Sequence, residues 1–183
     1  MIAIVADSTV YITRKEALEL GVSIAPITYT VADQLYNAFY LDFSGDYQNL
    51  IARNSARCKT AQTNTAVFMS TFNELLRKGC DILCLTLSSR LSGTYSSARI
   101  AAREIGRGRI AVVDSLTVAG GLYLLVREAR ALADAGLELA QIEQAILEMR
   151  EKLSIAFSVD DMEPLRRSGR LGLIRQSIGT ILN

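Results

Sequence analysis

Three short apolar runs, at residues 2–6, 82–87 and 110–113, constrain the fold of this chain more than anything else in it. Each is close to continuous and rich in Ile, Val and Leu. A strand with water on one side alternates apolar and polar residues, so an unbroken run implies burial on both faces. That condition is met in a parallel sheet covered by helices on either side. Helical periods follow in the right places. Residues 13–20 start at Thr13 with Glu16 three positions on, the spacing of a capping box. Residues 65–76 carry Val67, Phe68, Phe72, Leu75 and Leu76 on one stripe and stop before Gly79. Residues 92–105, 119–135 and 139–153 read as three more helices, the last two divided by Gly136.

Strands alternating with helices predict an α/β domain with a doubly wound, mostly parallel sheet flanked by helices. Residues 22–31 read as a further strand with a bend at Pro26, and 155–159 as another. Residues 32–45 read as loop or hairpin. The character changes after Val159. Asp160, Asp161, Met162, Glu163 and Pro164 open a short helix, and Arg166, Arg167, Arg170 and Arg175 follow. Residues 1–157 are therefore expected to form one domain, and 158–183 the beginning of a truncated second one.

Composition narrows the chemistry. The chain has no histidine, so it cannot by itself assemble a Ser-His-Asp or Cys-His catalyst, nor a histidine-ligated metal site. Its three cysteines, Cys58, Cys80 and Cys84, lack a second pair and read as buried, reduced thiols of a cytoplasmic protein. A net charge of +1 gives no general pull toward nucleic acid or membrane surfaces. No apolar run is long enough to span a bilayer. The opening residues, with Asp7 among them and no basic flank, read as a strand and not as a signal peptide.

In open α/β sheets, ligands settle beyond the carboxyl ends of the strands. Here those ends read Asp7-Ser8-Thr9, Ser88-Ser89 and Asp114-Ser115. Ser, Thr and Asp are ordinary loop residues, but three such clusters on one edge point to a polar ligand. Asp7 and Asp114 could hold Mg²⁺; ordering of loop backbone is the simpler account. The four arginines could face nucleic acid, although exposed basic residues beside a helix are more often a solvated face. The densest cluster is LSSRLSGTYSSA, residues 87–98, where Ser92 is expected to cap the helix and Gly93 to admit close approach. Amides at a helix start favour an anion. The stretch has no lysine for a phosphate loop and no Rossmann glycine fingerprint, which leaves a carboxylate.

LSSRLSGTYSSA resembles the hallmark segment of the DegV family. IAIVADST at the start, KTAQTN at 59–64, VVDSLTVAGGL at 112–122 and LRRSGRLG at 165–172 are similar to four further blocks of that family, in family order. The resemblance implies a protein that binds a long-chain fatty acid, with the carboxylate bonded by Thr60 and Ser92. It also implies an acyl-carrying subunit presented to a fatty acid kinase catalytic subunit, which phosphorylates the bound acid. Arg170 then serves partner docking or the acyl phosphate. The expected fatty-acid-binding set is Thr60, Ser92, Gly93, Gln62 and Ser8, with no catalytic residue, no metal and no cofactor. Ala61, Thr63 and Asn64 depart from the Ser, Pro and Ser of the family loop, and Ser168 stands where glycine is common. Family members continue into a C-terminal domain that closes the acyl tunnel, so this chain is expected to self-associate through uncovered apolar surface. The rivals are a small-molecule phosphotransferase, an acyltransferase using Ser92, or a regulatory or structural remnant without ligand.

Overall fold

A computed structural model describes residues 1–42, 53–54 and 58–172. In chain order the elements are β1 (Ile2–Asp7), a 3₁₀ turn (Ser8–Val10), α1 (Arg14–Glu19), β2 (Val22–Ala25), β3 (Ile27–Val31), β4 (Gln34–Ala38) and β5 (Cys58–Ala61). Then come α2 (Thr65–Arg77), β6 (Asp81–Thr86), α3 (Thr94–Ile105), β7 (Ile110–Asp114), α4 (Gly120–Asp134), α5 (Leu139–Arg150) and α6 (Glu163–Arg167).

Four strands form a wholly parallel sheet in the order β2-β1-β6-β7. Alternation along each strand deals side chains to two cores. Ile4, Ala6, Leu83, Leu85 and Val113 pack under Leu122, Leu125 and Val126 of α4 and Ile142 and Ile146 of α5. Val5, Ile82 and Cys84 face the other way, against Phe68 and Phe72 of α2 and Ala98 and Ala101 of α3. The doubly wound expectation is met, because each run is covered on both sides. Thr13 caps α1 through the predicted box with Glu16. Gly79 and Gly136 stop their helices with φ of +80° and +87°, a conformation that costs glycine little.

The reading of 22–31 as one strand is corrected. Pro26 splits it: β2 ends at Ala25 in the parallel sheet, and β3 starts at Ile27 in a separate antiparallel sheet of order β4-β3-β5. Of residues 32–45, Gln34–Ala38 form the hairpin partner β4, joined to β3 by the two-residue turn Ala32-Asp33, both with positive φ, and 43–45 lie outside the described residues. Residues 155–159 are not a strand. No strand neighbours them among the described residues, and Ile155 and Phe157 instead line a cleft. The helices expected at 119–135 and 139–153 are shorter at their ends. Arg175 and the apolar run 178–182 lie outside the described residues.

Candidate functional site

The site is built where the parallel sheet changes direction. β1 connects to β2 on one side and β6 connects to β7 on the other, so the loops after β1 and β6 diverge and leave a crevice. Asp7 spans it. One carboxylate oxygen accepts from Thr9 N at 2.9 Å and Thr9 Oγ1 at 2.6 Å, and the other accepts from Leu87 N at 2.6 Å, across the sheet. Asp7 is fully buried. Burial pushes its carboxyl above the ordinary range, while the bonds from Thr9 and Leu87 pull the other way. Neighbouring Cys84 is buried too, and its thiol is pushed well up by burial and by the Asp7 charge, which makes it a poor nucleophile.

Asp114 plays the matching part at the end of β7, accepting from Ser89 N at 3.0 Å and Leu116 N at 3.1 Å. Both aspartates are thus engaged with loop backbone, and no cluster of metal-ligating side chains occurs among the described residues. The loop from β6 to α3 is fixed along its length. Ser88 N donates to Thr117 O, Arg90 N to Ser88 Oγ, and the amides of Leu91 and Ser92 to Ser88 O.

At the helix start one detail of the sequence reading is corrected. The N-cap of α3 is Gly93, without a side-chain cap bond. The Ser92 hydroxyl lies one residue earlier, accepts from Thr94 N at 3.2 Å, and shares a 2.9 Å bond with Thr94 Oγ1. Among the described residues nothing accepts from the backbone N–H groups of Gly93, Tyr95 or Ser96. Three donors and the positive end of the helix dipole converge there.

Gly93 has φ of −76°, so the backbone does not demand glycine. The demand comes from Gln62. A Cβ built on Gly93 would fall 2.8 Å from Gln62 Cδ and 3.0 Å from Nε2. The Gln62 carboxamide lies over this glycine and donates from Nε2 to Ser97 Oγ at 3.1 Å. Thr60, two residues earlier, sits exposed in β5 opposite Tyr29, whose ring stacks on Tyr36 at 5.2 Å. No hydrogen bond joins Thr60 to Ser92. Ser8 is nearly buried, and its oxygen accepts from Ile27 N at 3.0 Å. Beside it Thr63 Oγ1 donates to Pro26 O at 2.8 Å. These two bonds satisfy the backbone groups freed where Pro26 breaks the strand. Arg170 reaches back over the loop, Nε to Leu91 O at 3.4 Å.

Sequence reading missed an apolar cleft that adjoins these residues, although none of Ser8, Thr60, Gln62, Ser92 and Gly93 lines it. A cleft of about 590 Å³ opens on the same loop, lined by Leu91, Leu116, Val118, Leu153, Ile155 and Phe157, with Ser88 and Arg90 also on its wall. That volume is within the usual small-molecule range of roughly 300–1,000 Å³. Leu116 and Ala119 hold positive φ on its β7–α4 wall, strain of the kind that collects at ligand sites. Periodicity gave no signal for it, since its lining comes from three loops.

The family model described as "Uncharacterised protein, DegV family" matches residues 1–183. A DegV domain-containing protein of Deinococcus radiodurans is 35% identical over 182 residues, covering 100% of this chain and 64% of its own length. The structure of a DegV family protein from Thermus thermophilus, described for its fatty acid binding, superposes with a TM-score of 0.83 at 30% identity. It covers 100% of this chain and 65% of that one. The fatty acid kinase B3 protein of Streptococcus pneumoniae, loaded with linoleic acid, shares the fold with a TM-score of 0.75 at 24% identity, covering 99% of this chain and 66% of that one. This chain therefore spans less than two thirds of the length of these proteins.

Proposed function

The chain belongs to the DegV family, and from that premise we propose that it binds a long-chain fatty acid by its carboxylate. One observation carries the reading: unclaimed amides at the start of α3 lie beside the Ser92 hydroxyl, and the adjoining residue, Leu91, lines the apolar cleft. A polar head and an apolar tail thus find complementary surfaces one residue apart. Thr60 and Ser92 are the proposed hydroxyl donors to the carboxylate, with Arg90 and Arg170 supplying positive charge nearby. The tail supplies affinity, at about 0.8 kcal/mol for each buried CH₂. The head supplies register, at about 1.5–3 kcal/mol for each bond to the charged group.

The finer part of the proposal is a non-catalytic role. The bound acid is presented to a separate kinase, which transfers the γ-phosphoryl group of ATP to a carboxylate oxygen and releases ADP. Arg170, which bonds Leu91 O on the loop beside Ser92, is the residue proposed to serve that encounter or the acyl phosphate. An acyltransferase or phosphotransferase reading lacks support from the residues, because the chain has neither a histidine base nor a phosphate loop. Residues 158–183 are proposed to begin the second domain that covers the cleft.

Native mass spectrometry of the protein purified from bacteria tests the core of this. The expected spectrum carries a non-covalent adduct with the mass of a long-chain acid. Ser92→Ala and Thr60→Val should each weaken binding roughly ten- to hundredfold without unfolding the protein. A wild-type protein that neither co-purifies with nor takes up any fatty acid rules the reading out.

A further inference from the structure

We infer that Gln62 is a positioning residue, which acts through Gly93 and Ser97 to hold the Thr60 strand against the start of α3. This rests on the fatty-acid reading above and assigns a role within it. The two proposed head-group donors come from different sheets: Thr60 from β5 of the antiparallel sheet, and Ser92 from the loop leaving β6 of the parallel sheet. No hydrogen bond links them directly, so something else must set their spacing.

Gln62 is in the right place to do so. It follows β5 directly, two residues after Thr60, and its carboxamide rests on Gly93, the residue after Ser92. The hydrogen bond to Ser97 Oγ fixes the amide at its far end, and Ser97 is itself buried and bonded through its amide to Gly93 O at 3.0 Å. The absent side chain at Gly93 has no conformational reason, since its φ is negative. It has a steric one, because a Cβ there would push the Gln62 carboxamide out of its present position. Two residue choices, a glycine and a glutamine 31 positions apart, thereby serve one contact. The Thr63 bond to Pro26 O anchors the same segment to the main-chain break, leaving Gln62 as the arm that reaches α3.

The test compares a fatty acid with the fatty alcohol of equal chain length, oleic acid against oleyl alcohol, by titration calorimetry. If Gln62 positions the carboxylate donors, Gln62→Met should lower affinity for the acid about three- to tenfold and leave the alcohol unchanged. Ser97→Ala should do the same. The double variant should be no worse than either single one, because both remove one interaction. Gly93→Ala should lose about as much as either, since its Cβ pushes the Gln62 carboxamide aside. Equal losses for acid and alcohol would mean a general packing role and would overturn the inference, as would unaltered or tighter binding of the acid by Gln62→Met. Those results differ from the failure of the fatty-acid reading, in which the wild type itself binds no acid and both fall together.

Discussion

In the four-stranded sheet, β6 buries five of its six residues, whereas β5 of the three-stranded sheet leaves three of its four exposed. The contrast extends to their neighbours: β1 is buried along almost its whole length, and β4 is mostly exposed. The parallel sheet carries helices on both faces and takes its stability from two apolar cores. In the antiparallel sheet the described strands bury Tyr29 and Val31 of β3 and little else, and its polar contacts with its surroundings include Ser8 to Ile27, Thr63 to Pro26 and Gln62 to Ser97. Proposed ligand donors sit on both sides of that seam. A ligand bridging the seam can therefore order the weaker sheet without disturbing the stronger one. Amide hydrogen exchange should be slowest in β1 and β6 and faster in β4 and β5.

The largest expected effect tests the strong half. Phe72 is fully buried and its ring lies 5.6 Å from that of Phe68 between α2 and the sheet. Phe72→Ala should cost about 3–5 kcal/mol in urea unfolding, the sum of lost transfer energy and a residual cavity. A loss under about 1 kcal/mol would mean that this core is loosely packed, and the contrast between the sheets would dissolve.

Next comes Asp7, which staples the crevice. Asp7→Asn keeps the shape but cannot accept from both Thr9 and Leu87, so a loss of about 1–3 kcal/mol is expected. Its pH dependence is distinctive. The buried carboxyl titrates above its ordinary value of 3.8, so the folded protein holds this proton more tightly than the unfolded chain. The contribution is fully present below that value and is lost as pH rises through the raised one. The stability gap between wild type and Asp7→Asn should accordingly be widest in acid and narrow toward neutrality. A gap that widens with pH would mean that the three hydrogen bonds outweigh burial.

The same contrast explains what could be read from the sequence. The parallel sheet was legible because burial on both faces leaves unbroken apolar runs, and Thr13 with Glu16 announced α1 by spacing alone. The antiparallel sheet was legible only in part, as the end of the strand read at 22–31 and as the loop or hairpin read at 32–45. Its hairpin turns on Ala32-Asp33 with no glycine or asparagine to signal positive φ, and its strands carry too little apolar pattern. Pro26 marks a bend in the sequence, but whether the chain re-enters the same sheet or a new one depends on partners distant in sequence, Ser8 and Thr63. At the site, the SGTY loop was legible as a motif. The occupant of the space at Gly93 was not, because Gln62 meets it only through the fold. The cleft was illegible for the same reason.

A smaller effect is expected at the seam. Thr63→Val removes the bond to Pro26 O in a buried position, leaving a carbonyl unpaired, at a cost of about 1–2 kcal/mol. The signature is local: exchange should quicken in β3 and β5 while β1 and β6 keep their protection. Uniform quickening across both sheets would show that they unfold as one unit.

The smallest effect is expected on the outer face of the antiparallel sheet, at Leu35. It lies in β4 opposite Thr30, with 70% of its surface open to solvent. Little apolar area is removed from water there, so truncation forfeits little transfer energy. What remains is a cross-strand contact with Thr30, in a class worth about 0.2–1 kcal/mol. Leu35→Ser should therefore change stability by less than about 0.5 kcal/mol and leave exchange in β3 unaltered. The comparison with Phe72→Ala is direct, since both remove a large apolar side chain and only its surroundings differ. If Leu35→Ser instead cost 2 kcal/mol or more, Leu35 would have to be covered in solution, and the antiparallel sheet would be a buried layer like its parallel neighbour.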